Sequence, residues 1–416
     1  MEYGCIGEKL SHSFSVDIHN RIGSYRYDLI ELSSCELNHF FSKREFKGIN
    51  ITIPYKKAAV EYIDVISESA KQIGAVNTVV NKEGILYGYN TDFDGLTALI
   101  NKNGFKLNGK TVAVLGSGGT AETAFAVCRS LGAAEIIKVS RTEREGFITY
   151  KSLYDSASKI DFILNATPCG MFPFTNQSPV DLKPFVNLAG VIDVIYNPLK
   201  TELVLNAEKL GIKSCGGLYM LVSQAVYAAQ KFIGSTFDGD FTDRIFNDVY
   251  RAKLNTVFIG MPSSGKTTVG ALTADKFGTE FYDTDRIIEN RLNTDITNIF
   301  STYGEPFFRK NESEVINELS LKNNCVISTG GGAVLDENNI YELKKNGRIF
   351  FLDRPLKDLS ASLSRPLMQS ADDIQKLYTQ RIELYKKYAD VTIDASGDIF
   401  DVLNSVSEAA DEYSCY

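Results

Sequence analysis

The sequence predicts an α/β protein whose sheets are mainly parallel. Short apolar segments of strand length alternate with segments of helical periodicity along most of the 416 residues, and this alternation is typical of β-α-β units. Two apolar segments, Thr111–Leu115 and Thr256–Ile259, run directly into glycine-rich turns that precede helical segments. Because the two glycine motifs differ, we expect two distinct α/β halves rather than an internal repeat.

Composition narrows the class of protein. A chain of 416 residues exceeds one ordinary core, so two or three domains are expected. Hydrophobic content of 44% and charged content of 23% are typical of a globular protein. The net charge of −8 and the lack of a Lys/Arg cluster argue against a nucleic-acid partner. No apolar run approaches the roughly 18 residues that a membrane span needs.

Cysteine and histidine usage indicates the compartment and argues against zinc. The seven cysteines contain no CxxC pair, which favours free thiols in a reducing compartment. The N-terminus lacks the features of a secretory signal. We therefore expect a cytoplasmic protein. The three histidines show no metal-ligand spacing, so a zinc site is not expected.

The first glycine turn has the form of a dinucleotide-binding turn. It reads GxGxxA from Gly116 to Ala121, and small residues at these positions admit a pyrophosphate and let helix and strand pack closely. The next strand, Glu135–Ser140, is followed by Arg141 and Thr142. A cation with flanking hydroxyls, rather than a carboxylate, favours NADP over NAD. The expected cofactor contacts are Gly116, Ser117, Gly118, Gly119, Thr120, Ser140, Arg141 and Thr142.

Polar residues beside the first strands predict a site for a small polyhydroxylated substrate. Hydroxyls, amides, one ammonium and one carboxylate recur there, in the segments Ser11–Ser15, Asn50–Lys56, Gly74–Thr78 and Asn90–Asp92. Lys56 and Asp92 suit a proton donor and its charge partner for a carbonyl that is being reduced.

These motifs together resemble the shikimate dehydrogenase family. The resemblance runs from about Gly4 to Tyr227 and includes Ala166–Met171, Asp193–Tyr196 and Gly217–Gln224. It implies NADPH-dependent reduction of 3-dehydroshikimate, with Lys56 and Asp92 as catalytic residues. It further implies that the substrate is held by Ser13, Ser15, Thr52, Asn77, Asp92, Tyr196 and Gln224. The residues implied on the nicotinamide side are Thr167, Val194 and Gly217.

The second glycine turn is a complete phosphate-binding loop. It reads Gly260-Met261-Pro262-Ser263-Ser264-Gly265-Lys266-Thr267 and follows a strand-like segment. Backbone N–H groups of such a loop converge on phosphate oxygens, while the lysine reaches the terminal phosphates and the Thr267 hydroxyl suits Mg²⁺. The expected ATP contacts are Gly260, Ser263, Ser264, Gly265, Lys266, Thr267, Thr268 and Arg365.

Acidic and basic residues after the loop suggest its acceptor substrate. Asp283 and Asp285 lie two positions apart at the end of a strand-like segment, so we expect them on one face of a strand. Arg309 follows a predicted turn, Arg381 lies four residues before Tyr385, and Gly330–Gly332 follow another strand-like segment. Arginine suits bidentate carboxylate recognition, and glycines let backbone N–H groups approach a small ligand.

In this order the motifs resemble the shikimate kinase family from Thr256 to about Asp394. The resemblance implies phosphoryl transfer from ATP to shikimate, with Lys266 and Asp285 as catalytic residues. It implies that Arg309, Gly331 and Arg381 bind shikimate together with Asp285, that Asp283 acts on Mg²⁺ through water, and that Arg365 closes on ATP. One departure is that serine stands before Arg365 where relatives often carry a second lid arginine.

We therefore expect three regions. Residues 1–100 form an α/β substrate-binding and catalytic subdomain, residues 101–250 form a Rossmann NADP-binding subdomain whose last helix returns to the first, and residues 256–416 form a P-loop kinase domain with a parallel sheet. The favoured function is a bifunctional enzyme of the shikimate pathway that reduces 3-dehydroshikimate and phosphorylates the product, using NADP(H), ATP and Mg²⁺. Its expected partners are small molecules, without nucleic acid or membrane, and it is a monomer or homodimer.

Two alternatives remain open at this stage. The first is a dehydrogenase that also accepts quinate, fused to a kinase for another small hydroxy acid. The second is a regulatory protein that binds these ligands without turnover, although the presence of Lys56, Asp92, Lys266 and Asp285 speaks against it.

Overall fold

The computed structural model describes residues 2–10, 14–23, 25–359, 367 and 370–411, and the chain divides into two compact units, residues 1–250 and 251–416. Ser13 and Arg365 lie outside the described residues. In the described part of the chain, no helix combines the length and apolarity that crossing a membrane requires.

The first unit contains two sheets. Its strands are β1 (Tyr3–Gly7), β2 (Tyr27–Glu31), β3 (Gly48–Ile51), β4 (Val65–Ile66), β5 (Thr78–Lys82), β6 (Ile85–Tyr89), β7 (Thr111–Leu115), β8 (Glu135–Ser140), β9 (Ile148–Thr149), β10 (Phe162–Asn165), β11 (Gly190–Asp193) and β12 (Ser214–Cys215). Its helices are α1 (Ser15–Ile22), α2 (Leu37–Lys43), α3 (Glu68–Ile73), α4 (Thr91–Lys102), α5 (Gly119–Ser130), α6 (Tyr150–Asp155), α7 (Glu202–Lys209), α8 (Leu218–Ile233) and α9 (Phe241–Arg251).

The first sheet is mixed and has the order β2-β1-β3-β5-β6-β4. Strand β3 pairs in parallel with β1 and antiparallel with β5. All four residues of β3 are buried, which explains their continuous apolar character apart from Asn50. Because β3 and β5 are antiparallel, the polar residues that follow β3 and those that precede β5 lie at the same end of the two strands.

The second sheet is parallel, with the order β12-β11-β10-β7-β8-β9. Strands β10 and β11 are buried along their whole length, as expected for a parallel sheet that helices cover on both faces. Their register aligns Leu115, Asn165 and Asp193 at the carboxyl ends of three adjacent strands. Ligands bind at this edge in open parallel sheets.

Helices α4 and α8 pack closely and connect the two sheets. Gly95 on α4 allows this approach, because a Cβ atom there would lie 2.7 Å from the Met220 carbonyl oxygen and 3.0 Å from the Gln224 Cβ. Helix α4 carries Asp92 in its first turn. The contact therefore brings Asp92 and Gln224 to the same cleft.

The second unit is one parallel sheet flanked by helices. Its strands are β13 (Asn255–Ile259), β14 (Glu280–Asp283), β15 (Cys325–Ser328), β16 (Gly347–Asp353) and β17 (Val391–Asp394), in the order β14-β15-β13-β16-β17. Its helices are α10 (Lys266–Phe277), α11 (Thr284–Leu292), α12 (Ile296–Tyr303), α13 (Glu305–Ser320), α14 (Glu337–Lys344), α15 (Ala371–Tyr388) and α16 (Ile399–Asp411).

The α/β class with parallel sheets is confirmed, but one local interpretation is wrong. The sequence spacing put Asp283 and Asp285 on one face of a strand. Strand β14 ends at Asp283, whose side chain accepts a hydrogen bond from the Arg286 N–H and caps α11. Asp285 therefore lies in the first turn of a helix, since the capping carboxylate ends the strand there.

Helix α10 approaches the sheet closely through Gly270. A Cβ atom at this position would lie 2.5 Å from the Ser328 Oγ and 2.6 Å from the Phe281 Cε2. The Ser328 hydroxyl donates a 2.8 Å hydrogen bond to the Lys266 carbonyl oxygen. This packing therefore sets the position of the first turn of α10, which follows the phosphate-binding loop.

We predict that Gly270→Ala destabilises the second unit. Overpacking costs about 1–3 kcal/mol, which outweighs the gain of about 1 kcal/mol from replacing glycine in a helix. Urea unfolding should show a lower midpoint. Gly397→Ala is the control, because its Cβ atom would meet nothing closer than 3.8 Å; equal midpoints for the two variants would contradict the prediction.

Candidate active sites

A cavity of about 450 Å³ lies between the first sheet and helix α8. It brings together all the described residues that the sequence assigned to the small substrate: Ser15, Thr52, Lys56, Asn77, Asp92, Tyr196 and Gln224. They come from segments that are far apart in the chain. The cavity is therefore a product of the fold and not of one local motif.

Lys56 and Asp92 form the central charged pair of this cavity. The Lys56 Nζ donates a 2.6 Å hydrogen bond to the Asp92 Oδ2, and the two side chains are 29% and 19% exposed. A partly shielded ammonium with a fixed carboxylate partner is suited to deliver a proton to an oxygen in the cavity.

Aromatic and thiol groups complete the wall. The Phe14 and Tyr196 rings meet edge to face at 5.2 Å. Burial raises the pKa of Tyr196, and the charge on Lys56 opposes that rise. Burial also raises the pKa of Cys5 to about 12, which disfavours the thiolate form.

The glycine turn after β7 fits a dinucleotide pyrophosphate. A Cβ atom at Gly118 or Gly119 would meet nothing within 4 Å, and α5 begins at Gly119 without a side-chain cap. The first N–H groups of α5 are thus available to an anion. Arg141 is exposed after β8, and the Arg144 guanidinium donates to the Ser117 carbonyl oxygen at 3.3 Å. These groups suit a phosphorylated dinucleotide.

A buried carboxylate organises the adjacent strand ends. Asp193 accepts hydrogen bonds from the Asn165 Nδ2 at 3.0 Å and the Thr201 hydroxyl at 2.7 Å. The Asn165 Oδ1 in turn accepts from the Thr167 hydroxyl at 2.7 Å. Gly217 must be glycine, because a Cβ atom there would overlap the Val194 carbonyl. Thr167, Val194 and Gly217 therefore lie at the edge where a nicotinamide is expected.

The second unit has a cavity of about 570 Å³ at the carboxyl edge of its sheet. The sequence-predicted residues that line it are Ser263, Gly265, Lys266, Thr267, Thr268, Asp283, Asp285, Arg309, Gly331 and Arg381. Gly260 and Ser264 are buried and are not among its lining residues.

The phosphate-binding loop has the backbone geometry that anion binding needs. Gly260, Ser263 and Gly265 all have positive φ angles, of 149°, 67° and 94°. The Lys266 Nζ donates to the carbonyl oxygens of Gly260 and Met261, at 2.9 and 2.8 Å. The ammonium is thereby held across the loop, and turns of this kind direct successive N–H groups toward an anion.

Two oxygen ligands beside the loop fit Mg²⁺. The Thr267 hydroxyl donates a 2.7 Å hydrogen bond to the Asp283 Oδ2. Hydroxyl and carboxylate oxygens suit Mg²⁺, which keeps several waters in its shell. Thr267 therefore suits direct coordination, and Asp283 suits a contact through water.

Two arginines, each bonded to oxygen atoms of the protein, also line this cavity. The Arg309 guanidinium donates to the Glu312 Oε2 at 2.7 Å and to the Glu305 Oε1 at 2.9 Å. Burial lowers the pKa of Arg309, but pairing with these carboxylates outweighs burial and the net pKa is raised. The buried Arg381 donates to the Gly331 carbonyl oxygen at 3.1 Å. Two cations thus converge on the Gly330–Gly332 turn, as binding of a carboxylate requires.

The structure adds lining residues that the sequence reasoning missed. Glu312 is fully buried, and burial raises its pKa against the charges of Arg309 and Arg381. Its helical spacing of three from Arg309 was the available signal. Lys9 and Asn50 line the first cavity, and Arg286 lines the second. No local pattern distinguished Lys9 and Arg286 from ordinary surface residues. Asn50 belongs to the polar segment Asn50–Lys56 that the sequence singled out, but it was not assigned a substrate contact.

Comparisons with known proteins agree with both sites. The family model described as shikimate dehydrogenase substrate binding domain matches residues 5–79, and the model described as shikimate kinase matches residues 262–410. A relative named shikimate dehydrogenase (NADP(+)) from Clostridium beijerinckii is 37% identical over 262 residues, covering 59% of this chain and 96% of the relative. The chain belongs to the shikimate dehydrogenase family.

Solved structures extend the same likeness. Shikimate dehydrogenase 1 from Peptoclostridium difficile is 36% identical, with a TM-score of 0.54 over 60% of this chain and 98% of that chain. A chorismate mutase/shikimate 5-dehydrogenase fusion protein from Clostridium acetobutylicum is 36% identical, with a TM-score of 0.57 over 59% of this chain and 96% of that chain.

These findings confirm the resemblance to both families and the cofactors NADP, ATP and Mg²⁺. The chain is a bifunctional shikimate-pathway enzyme with an oxidoreductase half and a kinase half. Which residues perform each step remains a prediction.

We predict that Asp193 makes stability depend on pH. Burial raises the pKa of Asp193 to about 6, although its hydrogen bonds from Thr201, Ile195 and Asn165 oppose the rise. The folded state therefore binds more protons than the unfolded state between about pH 4 and pH 6. Stability from this group is present at low pH and is lost as pH rises through 6.

The test compares the parent with Asp193→Asn by urea unfolding. We subtract the free energy of unfolding of the variant from that of the unsubstituted protein. This difference should be about 1 kcal/mol larger at pH 5 than at pH 7. A flat difference, or one of opposite sign, would refute the shift.

Proposed function

We propose that the first half reduces 3-dehydroshikimate to shikimate and that the second half phosphorylates the 3-hydroxyl of shikimate. The observation that supports this most is that each half has a separate cavity with its own charged residues. Lys56 is hydrogen-bonded to Asp92 in the first cavity, and Lys266 and Asp285 both line the second. The proposed product of the first cavity is the proposed substrate of the second. We divide the chain as the sequence suggests, at residues 1–100, 101–250 and 256–416.

In the reductase half, the chain's own residues bind the substrate and handle the proton. Ser15 and Ser13 hold the carboxylate, while Thr52, Asn77, Tyr196 and Gln224 hold the ring oxygens. NADPH supplies the hydride when it is bound along the Gly116–Thr120 turn. Lys56 delivers the proton to the former ketone oxygen from its Nζ, and Asp92 keeps that ammonium oriented.

In the kinase half, positioning and charge neutralisation carry the reaction. Arg309 and Arg381 hold the shikimate carboxylate beside Gly331, and Glu312 keeps Arg309 oriented. Asp285 orients the acceptor hydroxyl. ATP, with Mg²⁺, supplies the phosphoryl group when it is bound on the loop, and Lys266 neutralises charge on the phosphate side. Arg365 closes on ATP in this proposal.

A cytoplasmic location is part of the proposal. The cysteines among the described residues are free thiols, as expected in a reducing compartment. The purified chain should convert 3-dehydroshikimate to shikimate 3-phosphate when NADPH and ATP are both supplied. Assays with quinate in place of shikimate separate this function from a broader hydroxy-acid specificity.

We predict that the two activities are separable by single substitutions. Lys56→Ala should abolish NADPH oxidation but spare ATP-dependent phosphorylation of shikimate, because it removes the ammonium of one cavity alone. Lys266→Ala should do the reverse. NADPH absorbance and ADP release measure the two rates.

Matched controls come from neighbouring lysines. Lys57 is exposed beside Lys56, and Lys276 lies on α10 with its Nζ 3.4 Å from the Asn404 Oδ1. Alanine at either position should leave both rates unchanged. Loss of both reactions in a folded Lys56→Ala or Lys266→Ala protein would rule out two independent sites.

A further inference from the structure

A buried chain of hydrogen bonds ends at Asn77 in the reductase cavity. The Tyr27 hydroxyl donates to the Asn50 Oδ1 at 2.7 Å, and the Asn50 Nδ2 donates to the Thr78 Oγ1 at 3.0 Å. The Thr78 and Thr91 hydroxyls are 2.9 Å apart. The five residues that form this series of hydrogen bonds, including Asn77, are all buried, so water does not compete for these bonds.

The hydrogen bonds from Thr91 and Thr78 determine which end of the Asn77 amide faces the cavity. The Asn77 Oδ1 accepts from the Thr91 N–H at 2.7 Å and from the Thr91 hydroxyl at 3.2 Å. The Thr78 hydroxyl lies 3.1 Å from the same oxygen. A carboxamide oxygen has two lone pairs, and both are therefore used by the protein. The Nδ2, which donates to no protein atom among the described residues, is left for the ligand.

The directions of the bonds agree with one another. Asn50 donates to the Thr78 hydroxyl oxygen, which leaves the Thr78 proton available to the Asn77 Oδ1 or to Thr91. The Thr91 hydroxyl can likewise donate to the Asn77 Oδ1, so the amide oxygen is an acceptor in either arrangement. Reversing the Asn77 amide would set its NH₂ group against the Thr91 N–H, and two facing donors cannot bond. Thr91 also begins α4, whose next residue is Asp92. The hydrogen bond between Asn77 and Thr91 therefore places Asn77 next to the residue that precedes Asp92.

We propose that Thr91 and Thr78 are positioning residues that hold Asn77 as an obligate hydrogen-bond donor to a substrate oxygen. The inference rests on the proposed substrate contact of Asn77. It also defines the ligand chemistry, because the atom that Asn77 meets must be an acceptor, either a carbonyl oxygen or a hydroxyl lone pair.

A kinetic double-mutant cycle tests the proposal. Asn77→Ala, Thr91→Val and their combination are compared for kcat and KM with 3-dehydroshikimate. Losing or misdirecting one hydrogen bond should raise KM by roughly threefold to tenfold, with kcat within about twofold. Because Thr91 acts through Asn77, the double variant should match Asn77→Ala alone. Thr91→Ser, which keeps the hydroxyl, should restore the parent KM.

Thr97→Val is the matched control. Thr97 is on the same helix and its hydroxyl donates to the Phe93 carbonyl oxygen at 2.8 Å, outside the chain of bonds. It should leave KM unchanged. If Asn77→Ala leaves KM unchanged, the substrate contact of Asn77 is wrong and this inference fails with it. If Asn77→Ala raises KM but Thr91→Val does not, or if the effects of Asn77→Ala and Thr91→Val add, the positioning role alone is wrong.

A separate observation concerns the charges in the kinase cavity. Among the described residues, the cations that line it are Lys266, Arg286, Arg309 and Arg381. Lys266 bonds to loop carbonyls, Arg309 to glutamates and Arg381 to Gly331. In the part of the chain that the structure describes, Arg286 is exposed at the cavity and its guanidinium has no hydrogen bond or ion pair. A guanidinium that lines a cavity without a protein partner is suited to an anionic ligand such as phosphate.

The backbone of Arg286 lies close to the phosphate-binding loop. Its backbone N–H donates to the Asp283 Oδ1 at 3.2 Å, and the Asp283 Oδ2 accepts from Thr267 of the phosphate-binding loop. Side chains in helices lean toward the helix N-terminus, which for α11 is the sheet edge that carries this loop. Arg309 and Arg381 are instead gathered around Gly330–Gly332. We infer that Arg286 contacts a phosphate oxygen of the nucleotide, which rests on the proposed kinase function.

Steady-state kinetics of Arg286→Gln test this assignment. Removing a hydrogen bond to a charged group should lower kcat/KM for ATP by roughly tenfold to a hundredfold, while KM for shikimate stays within about twofold. Arg286→Lys should recover part of the loss. Arg291→Gln is the control on the same helix, because Arg291 is paired with Glu318.

The outcomes separate the two ideas. An unchanged kcat/KM for ATP in Arg286→Gln, or a rise confined to the shikimate KM, overturns the phosphate contact. Full activity of Lys266→Ala would instead overturn the kinase function itself.

Discussion

Both halves of this enzyme depend on the pairing of parallel strands. Parallel pairing brings the carboxyl ends of successive strands to one edge, and each strand must be followed by a crossover before the next begins. The turns after β7, β10 and β11 therefore meet at one edge of the second sheet. The turns after β13, β14 and β15 meet in the same way in the second unit. Residues from distant segments reach a common site because the sheet aligns them.

Close backbone approach is the second requirement, and particular glycines provide it. Gly95 lets α4 and α8 touch, and Gly270 lets α10 lie against β15. At Gly332 a Cβ atom would overlap the Arg309 guanidinium, so the glycine turn leaves room for the arginine that is expected to hold the substrate. These glycines act through packing, whereas Gly260 and Gly265 act through their positive φ angles.

Buried polar groups restrict the orientation of side chains in the two sites. Asp193 is fully buried with three hydrogen bonds, and Glu312 is buried against Arg309. Because an unpaired buried polar group is costly, each such group restricts the orientation of its partners. The Asn50, Thr78 and Thr91 chain does this for Asn77 in the reductase cavity. Orientation of the ligand-facing atoms thus follows from contacts that lie behind them.

The sequence by itself determined the fold class, both families and about half of the residues that line the two cavities, because glycine turns after apolar strands and the order of short polar motifs are local properties. The sequence wrongly placed Asp285 on a strand. The strand ends at Asp283, whose carboxylate caps the helix in which Asp285 lies. Only the tertiary structure decided that Glu312 is buried beside Arg309, that Arg286 lines the kinase cavity, and that Thr91 bonds to the Asn77 Oδ1. Burial and the contact between Asn77 and Thr91 depend on segments that are distant in the sequence, whereas the helical spacing of Glu312 from Arg309 was a local signal that did not reveal its burial.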